Sequence, residues 1–429
     1  MTENWCTSPP TVTTSSSKKR AFKGANSPKV DIRGKHIIVG VSGGIAAYKI
    51  PELIRLLVKQ GAEVRVTVTR HALEFVTELT LQTVSGHKVY SDVFGAINEH
   101  ATEHISLPEW ADIMIVAPAT ANVLGKFAAG IADDALTTTF SSCAARKPIV
   151  LAPAMNDKMW ENPATQSAIR TLRSWQGIHV IEPAEGVLAC GTSGKGRMPE
   201  VEVLAEQVKA ALSKKTMQGK RVLITAGATI EKIDPVRYIS NFSTGKMGYA
   251  IARECLRRGA EVALISGKTQ LTIEGYEGLQ KTDIESAQEM FEASREAFAN
   301  ADIAIFTAAV ADYSPAKPAT EKIKRQEENT TLLLHANTDI AGELSRSKRI
   351  GQTTIGFALE TNDEEANAQK KLQKKGLDYI VMNSLQDKGA GFGVDTNKVT
   401  LYGINGIKKD SPLESKEAVS RWLLDALGY

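Results

Sequence analysis

RGKHIIVGVSGGIAAYKIPELIRLLVKQGAEVRVTVT, residues 33–69, decides the fold. The apolar run His36–Val41 reads as a buried strand and Ser42-Gly43-Gly44 as a turn. From Ile45 to Gln60 the apolar positions Ile50, Leu53, Ile54, Leu57 and Val58 recur at helical spacing, which predicts an amphipathic helix. Pro51 lies inside that pattern and predicts a late start or a bend. Gly61 ends the helix, and Val64–Thr69 returns as a strand. Strand, helix and strand make a βαβ unit, which implies a parallel, buried sheet.

The pattern restarts at QGKRVLITAGATIEKIDPVRYISNFSTGKMGYAIARECLRRGAEVALISG, residues 218–267. Strand Val222–Thr225 precedes a glycine-rich loop, a helix runs from about Met247 to Arg258, and Gly259-Ala260-Glu261-Val262 leads into the next strand, as Gly61-Ala62-Glu63-Val64 does earlier. Two starts this far apart predict two domains rather than a short-period solenoid. At roughly 150 residues per domain, a chain of 429 residues agrees. Further strands are predicted at Ile113–Ala117, Pro148–Ala152 and His179–Ile181, then at Ile303–Thr307, Thr354–Ala358, Tyr379–Met382 and Lys398–Tyr402. The expected fold class is α/β: two tandem doubly wound parallel-sheet domains, with ligands at the carboxyl ends of the strands. The first domain covers residues 34–212 and ends in a helix Val203–Leu212; residues 213–218 are a linker; residues 219–429 form the second domain. Residues 1–33, rich in Ser, Thr, Pro and Lys, have little to bury and are expected to be disordered.

Acids and bases nearly balance at a net charge of +3, which gives no reason to expect a nucleic-acid partner. No apolar run reaches the ~18 residues of a membrane span. Cys6, Cys143, Cys190 and Cys255 make no CxxC pair and no disulfide framework, so a cytoplasmic location is expected.

Three loops of the first half each follow a strand: Gly40–Ile45, Ala117–Asn122 and Ala152–Trp160. Small residues before a helix N-terminus suit a phosphate, although for the glycines alone a tight packing turn explains them as well. Thr69-Arg70 stands where an NAD fold would carry an acid, which argues against a dinucleotide. Ala189–Met198 reads as a glycine-rich flap without strand or helix character. Cys143 and Cys255 fit buried apolar positions, whereas Cys190, beside Lys195 and Arg197, fits a reactive thiol. His100 and His104 lack a third ligand at telling spacing for zinc. His104 opens a run that leads into a strand expected at Trp110–Ala117.

In order along the chain stand G-x-S-G-G-I-A-A-Y-K, H-I-x-L, A-P-A-T-A-N, P-A-M-N-x-x-M-W and A-C-G-x-x-G-x-G-R-M. With these, residues 34–212 resemble the FMN-dependent cysteine decarboxylases, in particular phosphopantothenoylcysteine decarboxylase, with a flavodoxin-like fold. The resemblance implies FMN contacts from Gly43, Gly44, Ile45, Thr69, Thr120, Ala121 and Asn122. It implies His104 as the catalytic histidine, Asn156 on the substrate carboxylate and Cys190 as proton donor on the flap. Losing CO2 from an N-acylcysteine needs an electron sink, which oxidation of the thiol by a flavin provides.

The second half carries D-P-V-R-x-I-S-N-x-S-x-G-K-M-G, A-A-V-A-D-Y, E-K-I-K and G-F-A-x-E-T. It is similar to the bacterial phosphopantothenate–cysteine ligase, and the tandem order matches the bifunctional bacterial protein of coenzyme A biosynthesis. The resemblance implies CTP with Mg2+, an acyl-cytidylate of 4'-phosphopantothenate, and attack by cysteine with loss of CMP. CTP contacts would fall on Phe306, Thr307, Ala308, Asp312, Lys322, Thr338, Asp339, Ile340, Ala341, Phe357, Lys371 and Lys375, with Asn241 and Lys322 as catalytic residues. No metal ligands are assigned. Departures are Gly227-Ala228-Thr229 for a usual G-P-T, Ala336–Ile340 for K-N-P-D-I, and Thr244 for Ser. Trimers of flavin domains and dimers of ligase domains are implied.

Two other readings stay open: a flavin-binding regulatory protein without catalysis, and an NAD-dependent dehydrogenase. The absent dinucleotide fingerprint counts against the last.

Overall fold

The computed structural model describes residues 32–92, 103–187, 191, 193–324, 331–360, 364–384 and 393–429. The N-terminal stretch 1–31 and Cys190 lie outside them.

In the first half β1 (His36–Val41), β2 (Glu63–Val68), β3 (Ile113–Ala119), β4 (Ile149–Pro153) and β5 (Ile178–Val180) run parallel in the order β2-β1-β3-β4-β5. That is the flavodoxin-like order, with its switch point between β1 and β3. The helices are α1 (Ile50–Lys59), α2 (Glu78–Ser85), α3 (Glu103–Trp110), α4 (Ala121–Ala129), α5 (Ala135–Cys143), α6 (Asp157–Glu161), α7 (Pro163–Arg173) and α8 (Val201–Leu212). Apolar faces of α1, α2 and α8 close one side of the sheet, and those of α3, α4, α5 and α7 close the other. A 3-10 turn, Ile45–Lys49, precedes α1. Pro51 therefore stands in the first turn of α1, where its missing N–H costs no intrahelical bond.

Two expectations change. Trp110 closes α3 instead of opening a strand, because Leu107 and Ala111, four apart, both bury against the core. Ser193–Arg197 is a strand, β7, paired antiparallel with β6 (Ala184–Val187). Its glycines serve close approach: a Cβ on Gly196 would lie 2.2 Å from the Met155 carbonyl oxygen.

In the second half β8 (Arg221–Ala226) leads to a hairpin of β9 (Ile230–Lys232) and β10 (Tyr238–Ser240), then to α9 (Lys246–Arg257), β11 (Glu261–Ser266), β12 (Leu279–Asp283), α10 (Ala287–Phe298) and β13 (Ile303–Phe306). A second ribbon pairs β14 (Tyr313–Pro315) with β15 (Leu334–Ala336). There follow α11 (Ile340–Arg346), β16 (Thr353–Glu360), α12 (Glu364–Lys375), β17 (Tyr379–Ser384), β18 (Thr396–Asn397), β19 (Val399–Gly403), β20 (Lys408–Asp410) and α13 (Lys416–Leu427). The sheet order is β12-β11-β8-β13-β16-β17-β19-β20. It is parallel through β17, and β19 and β20 add an antiparallel edge. Doubly wound sheets commonly carry such an edge, which needs only short turns instead of crossover helices.

The halves meet along α8 and α9. The Arg257 side chain, 1% exposed, pairs with Glu206 of α8 and with Glu254. Tyr276 donates its hydroxyl to Glu206 at 2.9 Å. Burial works to raise the Glu206 carboxyl, but Arg257 and Lys209 outweigh it and hold it at about 2. Between α8 and β8, the Lys215 ammonium donates to the carbonyls of Ala210 and Arg257 at 2.8 and 3.0 Å.

Candidate functional sites

The carboxyl ends of β1 to β4 open into a cleft of about 1160 Å³. Gly43, Gly44, Ile45, Thr69, Thr120, Ala121, Asn122 and Asn156 all line it, although they come from four separate loops. Ser42 ties two of these loops together. Its hydroxyl donates to the Pro118 carbonyl at 2.7 Å and accepts the Thr120 N–H at 3.1 Å. Gly43 sits against the Arg70–Glu74 turn, where a Cβ would meet His71 at 2.5 Å. Thr69 is buried, and its Oγ1 has no hydrogen-bond partner. A buried hydroxyl inside a cleft without a partner is costly unless a ligand satisfies it. Asn156 caps α6 by accepting the Lys158 N–H at 2.9 Å, which orients its side chain at the cleft wall.

The β6–β7 ribbon forms one edge, through Gly196 and Arg197. Its base is held by two carboxylates. Glu200 accepts Arg197 at 2.6 Å and Lys49 at 2.8 Å, and Lys49 belongs to the turn that follows the glycines. Glu182 accepts Lys195 at 2.6 Å and also pairs with Arg173. The sequence assigns no role to Lys49, which closes the G-x-S-G-G-I-A-A-Y-K motif, nor to Glu182 and Glu200; the Lys49–Glu200 pair spans 151 residues and leaves no local pattern. His104 lies in the first turn of α3, but its side chain is outside the described residues, as is Cys190. Cys143 is buried, and burial pushes its thiol up to about 12, so it is unreactive. Cys255 is likewise buried and shifted upward.

In the second half the loops after β8, β13 and β15 are bonded into one frame. Asn241 donates its amide to the carbonyls of Ala309 and Val310 at 3.1 and 3.2 Å. Asn337 donates to the Ala311 carbonyl at 2.8 Å through its side chain and to the Asp312 carbonyl at 2.9 Å through its N–H. Buried Glu231 accepts the Ser314 hydroxyl at 2.9 Å and the Ala287 N–H at 3.0 Å. Thr307 donates to the Thr225 carbonyl at 2.6 Å, and the Ala308 N–H reaches the Thr225 hydroxyl.

Asp339 and Lys375 are ion-paired at 2.8 Å, and Asp339 also caps α11 by accepting the Gly342 N–H. Asp312, Lys322 and Thr338 are exposed. Ala341, Phe357 and Lys371 are half-buried, with Phe357 packed on the core. The side chains of Phe306 and Ile340 bury in the core, which leaves their backbone for any ligand. Asp234 and Arg237, quoted only as part of a motif, turn out to brace Ile323 next to Lys322.

Residues 25–213 match the family described as Flavoprotein, and residues 217–428 match the DNA/pantothenate metabolism flavoprotein C-terminal domain. The chain is 46% identical, over 92% of its length and 97% of the relative's, to the "Coenzyme A biosynthesis bifunctional protein CoaBC" of Bacillus subtilis (strain 168). It belongs to the CoaBC family of bifunctional coenzyme A biosynthesis proteins. The CoaBC of Vibrio vulnificus (strain YJ016) is 43% identical, over 92% of this chain and 97% of the relative. Among solved structures, the C-terminal domain of a CoaBC is 41% identical, covers 50% of this chain and 96% of that one, and has a TM-score of 0.42. As a CoaBC protein the chain is a bifunctional enzyme, a decarboxylase and a ligase, with a flavoprotein half. The reading as a regulatory protein without catalysis finds no support among these relatives.

Proposed function

We propose that the second half joins cysteine to 4'-phosphopantothenate at the expense of CTP, and that the first half decarboxylates the product to 4'-phosphopantetheine. The observation that carries the assignment of the first half is the Thr69 hydroxyl, buried and unpartnered among the glycine turn and the Thr120–Asn122 loop. These residues fit FMN: the α4 N-terminus and the Thr69 hydroxyl suit its phosphate, and the cleft has room for its ring. FMN supplies, when bound, a two-electron acceptor and donor for the substrate thiol. Asn156 holds the substrate carboxylate, His104 acts as the catalytic histidine, and Cys190 delivers a proton from the flap. The last two roles rest on motif resemblance alone.

In the ligase half the loops at Phe306–Ala308, Asp312, Thr338–Ala341 and Phe357 take the nucleotide. Lys322, Lys371 and Lys375 offset the triphosphate. Asn241 holds the acyl-cytidylate while the cysteine amine attacks. Among the described residues no cluster of three or more acidic, His or Cys side chains could hold a metal. Mg2+ would be carried mainly by the phosphates with one or two carboxylates, for which Asp312 is the candidate. The flavin halves assemble as trimers and the ligase halves as dimers, in the cytoplasm; among the described residues no helix is long and apolar enough to cross a membrane.

An assay of the intact protein with 4'-phosphopantothenate, cysteine, CTP, Mg2+ and FMN, following CO2 and pyrophosphate, tests the whole scheme. Equal or better turnover with ATP would overturn the nucleotide assignment. Protein that stays colourless after reconstitution with FMN would overturn the cofactor.

A further inference from the structure

Asp234 is a buried carboxylate on the loop between β9 and β10. One oxygen accepts the N–H groups of Val236 and Arg237, each at 2.8 Å, as in a side-chain-stabilised turn. The other accepts the Arg237 guanidinium, through Nε at 2.9 Å and through Nη2, and then a donor far along the chain: the Ile323 N–H at 3.2 Å. Arg237 closes the loop by donating from Nη2 to the Ile323 carbonyl at 2.8 Å. Both backbone polar groups of Ile323 are therefore gripped by one salt-bridged pair. A third bond, from the Ala319 N–H to the Ile233 carbonyl at 2.9 Å, straps the same segment down.

A turn alone has no use for the Ile323 bonds. Residues 316–324 form no helix or strand and lie on the surface between β14 and β15. The Ala316 N–H is bonded to the Leu333 carbonyl at 2.9 Å, and beyond Ala319 this backbone is held by the bonds that Asp234 and Arg237 make to Ile323. Lys322 is exposed and directly precedes the gripped residue. Holding the Ile323 peptide groups sets the direction in which Lys322 leaves the backbone, before any ligand arrives. Arg237 is committed to Asp234 and to this carbonyl, which makes it part of the brace.

We infer that Asp234 is a positioning residue of the ligase site: through Arg237 and the backbone of Ile323 it aims Lys322 at the bound nucleotide. This rests on the assignment of Lys322 to the CTP site made above. Preordering one charged side chain saves entropy that would otherwise be lost in each turnover, and small misplacements cost much rate.

The test uses the full-length protein loaded with FMN, in four forms besides wild type: Asp234→Asn, Ile323→Pro, Lys322→Gln and the double variant Asp234→Asn/Lys322→Gln. The amide introduced by Asp234→Asn can still accept the Val236 and Arg237 N–H groups through its oxygen, but it sets an N–H2 against Ile323. Ile323→Pro deletes the Ile323 N–H and leaves the turn intact. Expected is a loss on the order of 10- to 100-fold in kcat/KM for CTP in pyrophosphate release for each single variant. The double variant should be no worse than Lys322→Gln alone, since an unaimed lysine and an absent one are equivalent. Hydrogen exchange should accelerate at the Ile323 amide in Asp234→Asn while β8 and β13 stay protected. Release of CO2 from supplied 4'-phosphopantothenoylcysteine should not change in any form. Losses that multiply in the double variant, an unchanged Ile323 amide, or full activity of Ile323→Pro would each overturn the brace while leaving Lys322 in the site. Wild-type activity of Lys322→Gln would instead remove Lys322 from the nucleotide site, and the inference with it.

Discussion

Glu206 on α8 and Arg257 on α9 form a buried ion pair that joins the two halves of the chain. The Glu206 carboxyl is held at about 2, against 4.5 ordinarily. In the folded chain it stays ionised where the unfolded chain would take up a proton. Its stabilising effect is therefore complete above about pH 4.5 and is lost as the pH falls toward 2. Glu206→Gln leaves the buried Arg257 only Glu254, which Arg258 shares, as counter-charge and should cost on the order of 3 kcal/mol at pH 7. Thermal unfolding of both proteins from pH 7 to pH 2 checks this, and the gap between them should close below about pH 4.5. A gap that persists unchanged to pH 2 would disprove the assignment.

Thr69→Val keeps the shape of a buried side chain and removes its unpartnered hydroxyl. If that hydroxyl meets a flavin phosphate, affinity for FMN should fall by about 10- to 100-fold, the worth of a hydrogen bond to a charged group. Fluorescence titration of the apoprotein reads this directly. Affinity equal to wild type would mean that the hydroxyl faces something other than the cofactor.

Gly196→Ala would drive a methyl group to 2.2 Å from the Met155 carbonyl oxygen, so β7 must lift off the loop that carries Asn156. Decarboxylation should fall by at least about tenfold, by misplacement of the reacting groups. CTP-dependent pyrophosphate release by the same preparation should not change. Loss of both activities would indicate a general folding defect.

Lys375→Met deletes the cation beside Asp339 while Asp339 keeps its cap on α11. KM for CTP should rise by about tenfold or more with kcat nearly constant, as expected when a ground-state contact to phosphate is removed. Steady-state kinetics over a CTP series decides it. An unchanged KM would free Lys375 from the nucleotide site.

The βαβ opening was readable because the apolar period switches from strand to helix within residues 36–60, and the same switch recurs after residue 220. Three loops of the cleft were readable for a topological reason, since each stands just past the carboxyl end of a strand; the individual residues, Thr69 among them, came from the family resemblance. What stayed hidden was pairing. The short apolar run at Val399–Gly403 looks the same whether its neighbour is parallel or antiparallel, so the edge formed with β20 gave no signal. Glycines in Ser193–Arg197 read as a loop because they were weighed as flexible, whereas they are small so that a strand can lie on Met155. The long-range bonds that set the sites carry no local pattern: Ser42, Glu200 and Asp234 bond partners 76, 151 and 89 residues away, and for Glu200 and Asp234 the nearby partners Arg197 and Arg237 gave no hint of it.

Glu200 holds Lys49 from the cofactor turn and Arg197 from the ribbon at once, and that sharing has a thermodynamic consequence. Whatever stiffens one end of such a link favours the other, and the coupling must run equally in both directions. A glycine turn stiffened by flavin should stiffen Arg197 through Glu200, and a substrate bound against Arg197 should in return slow the escape of the flavin. Retention of flavin on dilution, with and without 4'-phosphopantothenoylcysteine, measures that coupling, and Glu200→Gln should abolish the difference.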